Sequence, residues 1–283
     1  MINIPEFESK KELFDFLVTN KKTLIAQKKA EMKRADAIVF QPMFIVKKDN
    51  VDKASAITGE VLSDDILVMV AINTTNIFDS HHDVHIPSLW SKSLAENKNI
   101  MHLQEHSMTF KDIIADGKDV RAYTKTMSFA ELGFDFPGEC EVLVFESLVK
   151  KDRNPYMNDQ YRKGYVRNHS AGMIYVKLVL CINDENYGAE YEAWQKYYPI
   201  VANKSELDEV GFFWAVKEAK VVEGSAVPRG SNYVTPTISV GEPKSEPEKS
   251  TRKIEPSKDT HTEPEKFTQK INYGYLIENF KLN

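Results

Sequence analysis

Only two cysteines occur in the 283-residue chain, Cys140 and Cys181, and neither has another Cys or a His at metal-binding spacing. Nothing therefore suggests a disulfide framework or a thiolate zinc site, and two reduced core thiols are expected. Long apolar runs are missing as well: the longest, such as Ile66 to Ile72, fall far short of the ~20 residues that a membrane span requires. Met1 to Lys10 lacks the basic start and apolar core of a signal peptide, so a soluble chain kept in the cytosol is expected. A basic surplus is absent too. The formal net charge of −5 argues against a nucleic-acid binder, which carries positive charge on the domain that meets phosphate. The one basic concentration, Lys21 to Arg34, has apolar residues at helical spacing and reads as a solvated helix face.

Apolar side chains are plentiful, at 42% of the chain, enough for one large domain or two small ones. A folded unit of about 200 residues buries roughly 70% of its unfolded surface and needs no covalent staple. Ser9, Lys10, Lys11 and Glu12 form a capping-box pattern, and Leu13, Phe16, Leu17 and Leu24 follow at helical intervals. One or two helices are expected over about 10–35, forming an N-terminal arm (1–38). From Phe40 the texture turns to β-type runs: Phe40 to Val46, Ile66 to Ile72, Ile100 to His106, Ile113 to Asp116 and Val120 to Thr126, separated by Asp, Asn and Gly turns. Val142, Phe145, Leu148 and Val149 share a helical face, which predicts a helix over about 139–151. A second helix is expected over about 187–198, and a long strand from Phe212 to Val222 before the turn at Pro228, Arg229 and Gly230.

After residue 240 the composition changes. Four prolines (243, 247, 256 and 264) fall between 241 and 270, where Ile254 and Phe267 are the only large apolar side chains. Such a segment buries too little to offset its ordering entropy and is expected to be a disordered linker. It repeats itself, Glu246, Pro247, Glu248, Lys249 being echoed by Glu263, Pro264, Glu265, Lys266. Tyr273, Tyr275, Leu276, Ile277 and Phe280 then suggest a short docking element over 271–283.

The chemistry concentrates on Arg167, Asn168, His169, Ser170, Ala171 and Gly172, which run into the strand-like Met173 to Leu180. A serine where a turn becomes a strand is fixed by backbone geometry, so a base can approach its Oγ from one direction. Serine also favours such positions for local hydrogen bonding alone. His106 upstream is a candidate base and Glu223 downstream a candidate orienter, while His169 reads as a neighbour of the serine and not its partner. The order His, Ser, acid and the Asn168 in place of a leading Gly disfavour an α/β-hydrolase. Chymotrypsin order would need an acid between 106 and 170, where carboxylates are too numerous to exclude one. A rival is written in His102, Leu103, Gln104, Glu105, His106, the inverted zinc-protease pattern, to which His81, His82 and His85 could add ligands. That pattern needs a helix, and the run reads better as a strand end.

A longer stretch carries a family resemblance. Asp79, Ser80, His81, His82, Asp83, Val84, His85, Ile86, Pro87 follow the form Asp, x, His, Gly, Asp, Val, x, x, Pro, with His82 where Gly is usual. A strand ending in His106, a helix leading into a turn of Ser170, Ala171 and Gly172, and Glu223, Gly224, Ser225, Ala226, Val227, Pro228 with Asn232 complete it. Over about 160 residues, excluding the arm and the tail, the chain resembles the HK97-type prohead maturation proteases of tailed phages. The resemblance implies an α+β fold with a mostly antiparallel β-barrel core flanked by helices, as in the herpesvirus assemblins, over 39–240. It implies a serine endopeptidase with Ser170 as nucleophile, His106 as base and Glu223 as orienter, requiring no cofactor and no metal. Oxyanion donors would come from the backbone at Ala171 and Gly172 and from an arginine-bearing loop, Arg229 or Arg167. The implied substrates are major capsid protein and scaffold inside the assembling prohead in the host cytoplasm, with self-cleavage, and a homo-oligomer is compatible. Neither nucleic acid nor membrane is an expected partner. Besides a zinc protease, an inactive internal scaffold protein remains open.

Overall fold

The computed structural model describes residues 5–31, 64–97 and 99–241. The expected strand at Phe40 to Val46, the linker beyond Gly241 and the docking element at 271–283 lie outside them. Among the described residues the chain is α+β, with six α-helices and nine strands.

The arm forms two helices, α1 (Lys10–Thr19) and α2 (Lys21–Ala30), with Asn20 between them. Ser9 caps α1 by accepting from the Glu12 amide at 3.3 Å, while the Glu12 carboxylate reaches back to the Glu8 amide. Phe14, Leu17 and Leu24 are buried in the same cluster as β1, β7 and β8 side chains, so the apolar stripe of the arm completes the main core.

One sheet is antiparallel and ordered β5-β6-β1-β9, from β1 (Ile66–Thr74), β5 (Val120–Ser128), β6 (Glu139–Val149) and β9 (Thr237–Gly241). The stretch expected to be a helix over 139–151 is thus the central strand β6. Its Leu143 and Phe145 face the main core, whereas Val142 and Val144 face a second cluster with Met127 and Phe129. A strand buried on both faces has no polar alternation to betray it, and the helical spacing of its apolar residues is incidental.

The other sheet is built on β8 (Phe212–Val227). β7 (Asn168–Ile182) runs antiparallel along one flank. On the opposite flank β2 (Asp83–His85) and β3 (Met101–Gln104) lie parallel to it, and β4 (Ile113–Ala115) continues beyond β3. Phe212, Trp214 and Val216 alternate with Phe213 and Ala215, so that β8 feeds the main core on one face. The other face packs under α5 (Gly188–Tyr197) and α6 (Lys204–Val210) through Trp194, Tyr197 and Leu207. Short helices α3 (Ser91–Glu96) and α4 (Pro155–Arg162) lead into β3 and β7.

The expected closed barrel is replaced by two separate sheets. They meet at Pro236, whose carbonyl accepts from Ala71 of β1 and which bridges to Asn168 of β7. A proline has no N–H to extend a ladder, so the corner is a point of contact and not a continuous strand pairing. No described helix is long and apolar enough to cross a membrane. Both cysteines are free and buried, as expected, and burial pushes the Cys140 thiol up to about 12.

Candidate active site

Directly opposed residues of an antiparallel ladder project to the same face. Ser170 opposes Ser225, and two residues along each strand Gly172 opposes Glu223. Ser170, Ser225, Gly172 and Glu223 therefore share one face, and Ser170 sits inside β7 and not in a turn before it. His106 reaches this site from the other flank of β8. β3 places Leu103 beside Ser225 and ends at Gln104, after which Glu105 and His106 take φ of 51° and 57°. Two consecutive left-handed residues without glycine cost about 1–2 kcal/mol each. The Glu105 amide bound to the Ala226 carbonyl at 2.9 Å and the Ser107 amide bound to the Gln104 carbonyl at 2.9 Å hold the turn.

The turn delivers His106 Nδ1 to Glu223 Oε1 at 2.6 Å, with both residues buried. Ser225 completes the arrangement: its hydroxyl donates to Glu223 Oε2 at 2.6 Å and accepts from the His106 amide at 3.1 Å. Both carboxylate oxygens are thus engaged. With Nδ1–H directed at Glu223, the basic lone pair of a neutral His106 is on Nε2. Gly172 makes room for this, since a Cβ there would stand 1.9 Å from Glu223 Oε1. Ser170 is buried on the same face and is held by the ladder.

Behind this face lies a buried polar chain. His169 Nδ1 contacts the Thr235 carbonyl at 3.0 Å, which can only accept, so Nδ1 carries the proton. His169 Nε2 must then accept from the Tyr161 hydroxyl at 3.0 Å, and Tyr161 must accept from His102 Nε2 at 3.1 Å. His102 Nδ1 accepts in turn from Ser147 Oγ at 2.9 Å. Every donor direction is determined, and both imidazoles are neutral. Burial lowers His169 to about 4 and, helped by the neighbouring His169, holds His102 well below the usual histidine range. His169 is therefore a structural neighbour of Ser170, as the sequence suggested.

The zinc alternative fails on geometry. His102 and His106 lie on a strand and a left-handed turn instead of one helical turn, and both ring nitrogens of His102 are occupied. In the upstream cluster His82 packs against Phe78 and Phe212, while His85 Nδ1 lies 3.0 Å from the Asn73 amide nitrogen. Asp79, His81 and Asp83 do bring ligand atoms within 4.8 Å of one another, but Lys28 already places its ammonium 2.6 Å from Asp83 Oδ1. Burial, together with the adjacent Asp83, pushes Asp79 up to about 6. Burial also opposes the Asp83 charge, yet Lys28 outweighs it and keeps that carboxyl below its ordinary value. His82 has φ of 58°, a left-handed backbone that a glycine would adopt freely.

Among the expected oxyanion groups, Ala171 opposes Gly224 in the ladder and Arg229 is exposed in the loop after β8. That loop lies against β7, because a Cβ on Gly230 would meet the His169 carbonyl at 2.7 Å. The role of Ser225 was not read from the sequence, although its place two residues after Glu223 on a strand was a signal that both share a face. No model of a known protein family, no curated protein and no solved structure matches the chain.

Proposed function

We propose that the chain is a serine endopeptidase of the phage prohead maturation type, acting on capsid-protein or scaffold extensions and on itself. The observation that carries this reading is the buried His106–Glu223 contact, braced by Ser225, over the strand face that presents Ser170. Glu223 orients the imidazole through Nδ1, so His106 Nε2 can take the Ser170 proton as Oγ bonds to the scissile carbonyl carbon. The carbonyl π electrons move to oxygen. Collapse of this adduct breaks the C–N bond, the departing amine takes the proton from His106, and water then repeats the sequence on the acyl-serine.

The oxyanion needs donors outside the ladder. The His169 amide and carbonyl both bond Thr235 instead of β8, and strand alternation then turns the Ala171 amide to that same outer side. Ala171 N–H and Arg229 on the adjoining loop are the donor set assigned to that oxygen, whereas the Gly172 amide, one residue on, faces β8.

A fluorophosphonate probe tests the mechanism, because it reacts only with an activated serine. Mass spectrometry should find the adduct on Ser170, with labelling lost in Ser170→Ala and reduced by orders of magnitude in His106→Ala. Equal labelling of wild type and Ser170→Ala would sink the serine mechanism.

A further inference from the structure

The strands that carry Ser170 also carry an open pocket that no step above uses. It is lined by Tyr165, Arg167, Asn168, Val227 and Pro228. Asn168 opposes Val227 in the β7/β8 ladder just as Ser170 opposes Ser225. Two residues along a strand return to the same face, so the pocket floor continues the face of Ser170, one row further from Glu223. That row is ~7 Å away, the length of two residues of extended chain. A side chain one or two positions from a scissile bond held at Ser170 would arrive there.

The lining specifies what it would take. Val227 and Pro228 offer an apolar wall, and the Asn168 side chain spans the strand end by donating to the Pro228 carbonyl at 3.1 Å. Arg167 is exposed and brings a guanidinium that cannot lose its charge, and Tyr165 beside it is 65% exposed. Among the described residues no acid lines the pocket, and a second exposed arginine, Arg229, follows Pro228; Lys163 nearby in sequence is already paired with Asp159 at 2.7 Å.

We propose that this pocket is the subsite for an acidic side chain of the substrate, one or two residues from the scissile bond, with Arg167 as the specificity-determining cation. The proposal rests on the endopeptidase reading for its place in a cleavage reaction, but the binding itself can be measured without turnover. Fluorescent alanine pentapeptides, capped at both ends and carrying Glu, Gln or Lys at the centre, are titrated into full-length Ser170→Ala protein. The Glu peptide is expected to bind about tenfold tighter than the Gln and Lys peptides, as a charge-assisted hydrogen bond gives. Arg167→Glu in the same background should reverse the order in favour of Lys, and Arg167→Lys should keep part of the preference for Glu.

Equal binding of the three peptides, or a Glu preference that survives Arg167→Glu, overturns the proposal. An uncapped alanine peptide tests a chain terminus as the source of the carboxylate, and binding of that peptide alone overturns the side-chain assignment. Fluorophosphonate labelling of wild-type Ser170 keeps the two readings apart. Glu-selective binding without labelling removes the endopeptidase and retains the pocket, whereas labelling without selectivity removes the pocket only.

Discussion

His82 shows how a residue type can be wrong for its backbone and still be accommodated. It holds φ of 58° while its ring lies 5.7 Å from that of Phe78 and 5.2 Å from that of Phe212. Replacing it by Ala removes the ring contacts and keeps the strain, whereas Gly removes both. His82→Gly should therefore be more stable than His82→Ala by about 1 kcal/mol in urea denaturation. His169 makes a pH statement. Its folded value of about 4 lies below the ordinary 6.5, so the unfolded chain binds the extra proton between those limits. Stability from this group is full above pH 6.5 and is lost as pH falls toward 4, on the order of 3 kcal/mol in total. Asp79, raised to about 6, works in the opposite sense over much of that window, so the His169 contribution is isolated by difference. His169→Gln, which cannot titrate, should lose less stability than wild type between pH 7 and 4.5 in denaturant titrations. At this scale the sequence singled out Ser170, His106 and Glu223, and the fold puts His106 against Glu223, on the strand face that Glu223 shares with Ser170. The bracing by Ser225 was not legible, because it depends on β3 and β7 meeting on opposite flanks of β8.

Gly172 is where an element decides the site. Gly172 and Glu223 are directly opposed in the β7/β8 ladder, and the missing Cβ leaves space for the Glu223 carboxylate over their shared face. Gly172→Ala must push Glu223 away from His106, and Ser170 labelling by the fluorophosphonate probe should fall by at least about 10²-fold, in the range seen when a general base is mispositioned. Retained labelling would mean that Glu223 does not orient the base. The elements themselves were unevenly readable. β1, β4 and β5 fall where β-branched runs and turns put them, and α1 where its cap puts it. β6 was misread because burial on both faces removes the alternation that distinguishes a strand. β2 and β9 have three and five residues, too few to show a period.

At the scale of the molecule, the arm is tied to the sheet by a charge as well as by its apolar stripe. Lys28 and Asp83 are 6% and 0% exposed at 2.6 Å, so Lys28→Ala strands a buried carboxylate beside Asp79. The expected cost is about 3–5 kcal/mol by urea denaturation, and a Lys28→Ala, Asp83→Asn double variant should recover part of it. The sheet architecture was the least legible level. Strand order depends on pairings between residues more than a hundred apart, such as Met101 with Glu223, and whether sheets close into a barrel depends on a corner like Pro236. β8 joins these distant pieces. Trp214 pairs with Asp83 of β2, which holds the arm through Lys28, and Glu223, nine residues on along β8, holds His106. β8 has strand partners on both flanks at Trp214–Val216 and again at Glu223–Ala226, so heat or denaturant should abolish the arrangement around Ser170 together with the fold. Loss of fluorophosphonate labelling at Ser170 and unfolding should therefore trace one curve.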